Sequence, residues 1–258
     1  MSELVSIVIP AYNAARWIGY AVDSALQQTH QHVEVIVVDD GSSDETASTL
    51  RAFGSAITVV SASNKGPSSA RNLGTSIARG LWIQYLDADD MLHPQKMEFA
   101  LKAAQEIDQA EYVWFQHAHA AEAPPVPAAY THRHRFDDSR RDVSTSGLEA
   151  SYTPWAAMFR RSFLDRVGPW NEGIRGWEDL EFHVRIAEET ERYARVHIPM
   201  HSYRQHAGSR LSKTDGTPRQ IDAALSCVTA ARASLRGRKI SSSMARQFFW
   251  PFYVHLAK

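Results

Sequence analysis

Three carboxylates, Asp87, Asp89 and Asp90, crowd four positions in the stretch IQYLDADDMLHP at 83–94, directly behind an apolar run. Like charges this close oppose one another's ionisation and need a cation, hydrogen-bond donors or water beside them. Acids separated by one residue at a strand end can place oxygens on a divalent cation, which can in turn neutralise phosphates. Taken alone, Asp-x-Asp is more often a solvated turn or a helix cap. Here the apolar strand LWIQYL comes before it and a helix entrance at Pro94 after it. Two further acidic pairs stand out. Asp39–Asp40 closes the apolar run VEVIVV, and Glu178–Asp179 sits at a helix entrance in GWEDLEF. There the positive helix end stabilises carboxylates, which can also serve as simple caps.

The elements that must position these acids alternate. A β-rich run from Leu4 to Ile9 ends at Pro10, and AARWIGYAVDSALQQ then carries Ile18, Val22, Ala25 and Leu26 at helical spacing. VEVIVVDD is a nearly continuous apolar strand followed by a turn, after which Ser43 or Asp44 can cap a helix containing Ala47 and Leu50. ITVVSA is a third strand, GPSSARNLGTSIARG a turn and helix, and LWIQYL the fourth strand. Repeated β-α units with apolar strands predict an α/β fold, a mostly parallel sheet covered by helices on both faces. In open sheets of this kind ligands bind beyond the carboxyl ends of the strands. Those ends carry Pro10–Asn13, Asp39–Ser42, Ser63–Gly66 and Asp87–Asp90.

Composition narrows the function classes. The 258 residues are 44% hydrophobic, enough for one large core or a core with a smaller subdomain. A formal net charge of -1 argues against broad nucleic-acid coating. The single cysteine, Cys227, cannot form an internal disulfide, fits a reducing compartment, and sits in helix-like surroundings that read as packing. The first apolar run is too short for a signal peptide, and no window approaches the roughly 20 apolar residues of a membrane span. Neither G-x-G-x-x-G after the first strand nor G-x-x-x-x-G-K-S/T is present, which disfavours a dinucleotide oxidoreductase or a P-loop ATPase.

The ordered set VSIVIPAYN, VEVIVVDDGSSDET, NKGPSSARNLG, YLDADD and GWEDLEF closely resembles family 2 glycosyltransferases with the GT-A fold. Such enzymes are typically inverting and use nucleotide-diphosphate sugars. The resemblance implies a Rossmann-like three-layer α/β/α sandwich. By it, Pro10, Ala11, Tyr12, Asn13 and Asp40 would hold the nucleotide base, and Asp39 would position the strand-end loop or the ribose. This fits the chemistry, since a carboxylate can accept an imide N–H and an aromatic can stack on a base. Turn formation and capping are the plainer roles for Asp39, Ser42 and Asp44. Arg71 would meet a phosphate or the base edge, with Lys65 assisting; Asn72 can instead bond to backbone. Asp87, with Ala88 beside it, would contact the ribose or the metal indirectly, and Asp89 the cation itself. Asp90 would shape the turn, cap the next helix or approach the sugar. All-oxygen ligation favours Mg2+ or Mn2+ over zinc. Asp179 would take the acceptor hydroxyl proton with Glu178 in support, and His206 would approach the metal or diphosphate, His201 being a competitor and Arg210 or Ser209 helping to close the loop.

The second half is less regular. A strand at Tyr112–His117 precedes a variable stretch with short strands around Arg133–Phe136, and order returns with a strand near Trp155–Phe159, a short helix, and a helix from Asp179. HAH at 117–119 and HRH at 132–134 lack the cysteine or acidic partners a zinc site needs. Trp170 and Trp177 either face a sugar ring or pack their loop. We expect a transferase domain over 1–215, with a nucleotide-binding half at 1–110 and an acceptor-side half at 111–215. A helical and aromatic extension follows at 216–258. The extension joins Arg236, Arg238 and Lys239 to an aromatic cluster and either packs on the core or makes peripheral contact with an anionic bilayer on the cytoplasmic side. The function expected is transfer of a sugar from a UDP-sugar, or a dTDP-sugar, to a hydroxyl of a glycan or lipid-linked saccharide. A nucleotidyltransferase or sugar-nucleotide pyrophosphorylase is the enzymatic alternative, and a non-catalytic carbohydrate-binding or assembly module the other.

Overall fold

A computed structural model describes residues 3–107, 110–115, 118–120, 156–174, 176–189, 192–196, 200–204, and the helical positions 222, 225–227 and 229–230. The chain opens with β1 (Val5–Ala11), α1 (Ile18–Leu26), β2 (Val33–Asp39), α2 (Thr46–Arg51) and β3 (Thr58–Ser61). Then come α3 (Pro67–Ile77), β4 (Trp82–Tyr85), β5 (Met91–Leu92), α4 (Lys96–Glu106), β6 (Tyr112–Phe115) and β7 (Ala118–Ala120). The last elements are β8 (Ala157–Arg160), α5 (Arg161–Val167), α6 (Glu178–Glu189), β9 (Tyr193–Val196) and β10 (His201–Arg204). The strands at Arg133–Phe136 and the zinc-like HRH lie outside the described residues.

Seven strands form one sheet in the order β3-β2-β1-β4-β8-β6-β9. All its pairings are parallel except the two made by β8, which runs antiparallel to β4 and β6. Three short strands form a second sheet, β5-β10-β7. The chain leaves β1 toward β2 and β3, then returns to β1's other edge with β4. The switch point between β1 and β4 is therefore where a crevice opens beyond the strand ends.

Alternation along the strands assigns the two faces. Val5, Ile7, Ile9, Val35 and Val37 pack with Ile18, Val22 and Ala25 of α1 and Met97 and Ala100 of α4. Val8, Ile36 and Val38 face the other way, toward Ala70 of α3, Phe163 of α5 and Phe182 of α6. Helices thus cover both faces of the sheet, the three-layer arrangement expected.

β1 runs two residues beyond Ile9. Val8 O accepts Leu86 N–H on the β4 side (3.0 Å) and Ala11 O accepts Asp40 N–H on the β2 side (2.8 Å). That alternation turns the nitrogen of Pro10 toward β4, past the last β1–β4 pair, Val8↔Tyr85. No ladder bond is lost there, so proline does not end the strand. Gly74 lets α3 lie against the sheet, since a Cβ there would come 2.4 Å from Val8 Cγ1. This close approach brings Arg71, one turn earlier on α3, to the crevice.

Candidate active site

Two loops at the ends of β1 and β2 are stitched together by side chains bonding to backbone. Asn13 N–H donates to Ser42 Oγ (2.9 Å), and Asn13 Oδ1 accepts Ser43 N–H (2.8 Å). Ala14 N–H reaches Thr46 Oγ1 (2.8 Å), and Asp44 accepts both Ala15 N–H (3.1 Å) and Thr46 N–H (3.0 Å). Asp39 accepts Ser42 N–H (3.0 Å), the turn-forming bond expected of it. Asp44 does bond into the start of α2, and it holds the neighbouring loop as well. Tyr12 stands 49% exposed at the rim, its ring open to a partner.

Asp40 is buried, and each of its oxygens accepts one backbone N–H: Lys65 at 2.9 Å and Gly66 at 2.7 Å. Each carboxylate oxygen keeps a further lone pair. Asp40 therefore fixes the loop that opens α3, where Gly66 adopts a φ of 100° and Pro67 begins the helix. Lys65 is held through its backbone while its side chain is exposed.

The acids beyond β4 have distinct surroundings. Asp87 and Asp89 are half-buried, Ala88 and Asp90 buried. Asp90 Oδ1 accepts Arg204 N–H (2.8 Å), and Arg204 Nε donates to the main-chain O of Asp89 (2.9 Å). Of the three roles weighed for Asp90, the structure shows that of shaping the turn, pinned to β10. Arg204, whose guanidinium lies 4.6 Å from the Trp17 ring, was not legible beforehand because nothing in HSYR marks a partner more than a hundred residues away.

Arg71 joins this strand end to the entrance of α6. It is only 4% exposed, and its two terminal nitrogens each sit 2.9 Å from a carboxylate, Glu178 Oε1 and Asp87 Oδ1. Burial would drive its pKa down, but the Asp87 and Glu178 charges carry it well above the ordinary arginine value. For Asp87, burial raises the carboxyl, Arg71 pulls it back and Asp89 pushes it up again, leaving it above its ordinary range. The guanidinium also lies 4.6 Å over the Trp170 ring. Trp170 is in turn stacked on Phe182 (3.8 Å) and edge-on to Tyr85 (5.2 Å). Asn72 bonds to backbone, as its alternative reading had it: it donates to Trp170 O (2.9 Å) and accepts Trp170 N–H (2.8 Å). Trp170 thus packs its loop rather than facing a sugar.

At the head of α6, Gly176 (φ 102°) and Trp177 (φ 63°) occupy the left-handed region, which is costly for a bulky residue. Cys227 Sγ, buried, donates to Trp177 O at 3.1 Å. Burial, then the Asp179 charge, raises this thiol to about 12, so it is inert and packs as expected. Glu178 is buried and Asp179 half-buried in the first turn of the helix. Among the described residues no three His, Cys, Asp or Glu side chains converge on one metal position. His206, Arg210 and Ser209 lie outside the described residues, and His201 is buried in β10. Pro10 and Ala11 lie within β1, at its carboxyl end.

Known proteins agree with this architecture. The model of the family "Glycosyl transferase family 2" matches residues 6–168. The chain is 38% identical over 193 residues to the uncharacterized glycosyltransferase RP339 of Rickettsia prowazekii (strain Madrid E), a match covering 72% of this chain and 59% of that protein. It therefore spans about three fifths of the length of that curated relative. S. aureus TarS 1-349, solved in complex with UDP-GlcNAc, superposes with a TM-score of 0.75 at 16% identity, covering 98% of this chain and 73% of that one. The mannosyltransferase PcManGT of Pyrobaculum calidifontis, solved with GDP-Man and Mn2+, gives 0.65 at 22% identity over 100% of this chain and 71% of that one. Sheet order, with its switch point between β1 and β4, and a family match over well over half the chain lead to one conclusion: the chain belongs to glycosyl transferase family 2 and has its GT-A fold.

Proposed function

We propose that the chain transfers a sugar, with inversion, from a nucleotide-diphosphate donor to a hydroxyl of a glycan or lipid-linked saccharide. The observation that carries this reading is the convergence of Asp87, at the end of β4, and Glu178, at the head of α6, on the single side chain of Arg71. Donor-side acids and an acceptor-side acidic pair thereby share one crevice. TarS was solved with a uridine nucleotide sugar and PcManGT with a guanosine one, which supports a nucleotide-sugar donor. Asp40 and Tyr12 favour UDP, ahead of dTDP. Of the alternatives, neither the pyrophosphorylase nor the binding module gains a specific observation.

The residues beyond β4 fit a hard divalent cation. Their donor set is all oxygen, Asp87 stays above its ordinary range despite Arg71, and Arg204 fixes the turn that carries Asp89. Asp89 and Asp87 would hold Mg2+ or Mn2+, with His206 as a further ligand. When bound, the ion supplies positive charge to the departing nucleotide diphosphate. The chain's own residues do the rest. Tyr12, Asn13, Asp39 and Asp40 line the base and ribose end, and Lys65 offers its ammonium to the phosphates. Asp179, exposed enough to reach solvent, accepts the acceptor hydroxyl proton while that oxygen attacks the anomeric carbon from the face opposite the leaving group. One displacement inverts the centre with no covalent sugar intermediate. The basic aromatic extension, mostly outside the described residues, would bring the protein to the cytoplasmic face of a membrane. No described helix is long and apolar enough to cross one.

The test is single-turnover transfer with product stereochemistry, alongside donor binding, in wild type and Asp179→Asn. The amide keeps the side-chain volume but cannot take the proton, so transfer should fall by about 10²–10⁴-fold with donor affinity preserved. Transfer at the wild-type rate would assign the base elsewhere, and retained configuration would end the inverting mechanism.

A further inference from the structure

Resting on this transferase reading, we infer that Arg71 is a positioning residue: a buried bridge that ties the acceptor-side acid Glu178 to the donor-side acid Asp87 and so orders the entrance of α6. Both terminal nitrogens meet carboxylates at 2.9 Å, and the side chain is only 4% exposed.

Four independent features converge on this role. Arg71 cannot swing, because Gly74 seats α3 hard against β1 and Asn72 locks the neighbouring turn to Trp170 through two backbone bonds. Its guanidinium plane is set by the Trp170 ring beneath it, and that ring is stacked on Phe182 of α6. Glu178 lies 107 residues away in sequence, so the bond joins parts of the chain that no local preference brings together. Lastly, the segment it meets has a reason to need an anchor. Gly176 and Trp177 hold left-handed backbone just before Glu178, and for Trp177 such a conformation persists only when the surroundings over-determine it. An arginine fork suits the task, since it presents parallel donors to two acids at once, whereas a lysine could serve only one well.

If Arg71 orders the α6 entrance, hydrogen exchange of the backbone should report it without any ligand. In Arg71→Met, exchange across 176–183 should quicken by about tenfold or more, with α4 at 96–106 unchanged. Glu178→Gln should quicken the same segment, and the double variant should match either single one, because both remove the same tie. Arg71→Lys should fall between, and it keeps the test open if the methionine variant does not fold. Unchanged exchange at 176–183 in Arg71→Lys and Glu178→Gln, or additive effects in the double variant, would overturn the bridge. A separate arm titrates UDP and GDP in the presence of Mn2+. Wild type and Glu178→Gln should bind within about threefold of each other, because the acid removed stands on the acceptor side. A tenfold loss in Glu178→Gln would place it in the donor site and refute the positioning role. Failure of wild type to bind either nucleotide would instead sink the donor reading, and the exchange result would still decide the bridge.

Discussion

The two sides of the crevice are built by different means. On the side proposed for the donor, loops at the ends of β1, β2 and β3 hold one another by short side-chain bonds to backbone: Asn13 to Ser43, Asp44 to Ala15, Asp40 to Lys65 and Gly66. On the side proposed for the acceptor, the entrance of α6 at Glu178 is held by a buried ion pair, an aromatic stack and a thiol from far along the chain. The first design spreads its cohesion over many modest bonds, each fixing a few residues. The second concentrates it in Arg71 and Trp170. A single substitution should therefore loosen the donor side locally and the acceptor side as a unit.

The largest effect expected concerns chemistry at their junction. Asp89→Asn removes a charge where the cation would sit, and transfer should fall by roughly two decades or more, equivalent to about 3 kcal/mol of barrier. Initial rates across a Mn2+ series in folded protein measure it; wild-type rates at limiting metal would remove Asp89 from that role. Next is Trp170→Ala, which deletes the ring between Arg71, Phe182 and Tyr85 and should cost about 3–5 kcal/mol in chemical denaturation. A loss below 1 kcal/mol would show that the acceptor side is not concentrated there. Asp40→Asn turns one acceptor oxygen into a donor facing a backbone N–H, so about 1–3 kcal/mol should go, along with uridine affinity. Loss of affinity without loss of stability would break the comparison, because it would make Asp40 a ligand group rather than a loop clamp.

The smallest effect is at Asp44. Burial alone would raise its carboxyl, but the bonds from Thr46 and Ala15 outweigh it and hold the pKa below the ordinary 3.8. A depressed folded value means that its contribution is complete above the unfolded pKa and is lost as pH falls through the folded one. Denaturation midpoints of wild type and Asp44→Ala should hence differ near neutrality and draw together as pH falls through the folded value of Asp44. A gap that does not narrow with acid would assign the effect to packing.

The same contrast explains what could be read from the residues. Strand ends on the donor side are announced by adjacent letters, as in VVDDGSSD, since a strand, an acid and a turn are local events. β8 was announced as a strand near Trp155–Phe159, but its antiparallel place between β4 and β6 was not, because strand order is decided by packing between distant segments. Arg71 was visible as a cation on a helix, yet its partners were not: no spacing rule connects α3 to α6 across 107 residues. Arg204 and Cys227 share that opacity. The proline in β1 was misleading for a different reason, since whether a missing N–H matters depends on which neighbour it would have faced.

Because the sequence holds one cysteine, and that thiol is buried beneath Trp177, a thiol reagent finds a single address in the molecule. Its labelling rate is the intrinsic rate of the exposed thiol multiplied by the fraction of time that thiol stands away from Trp177. The site therefore carries a native clock for opening of the α6 entrance, readable by mass without altering one residue.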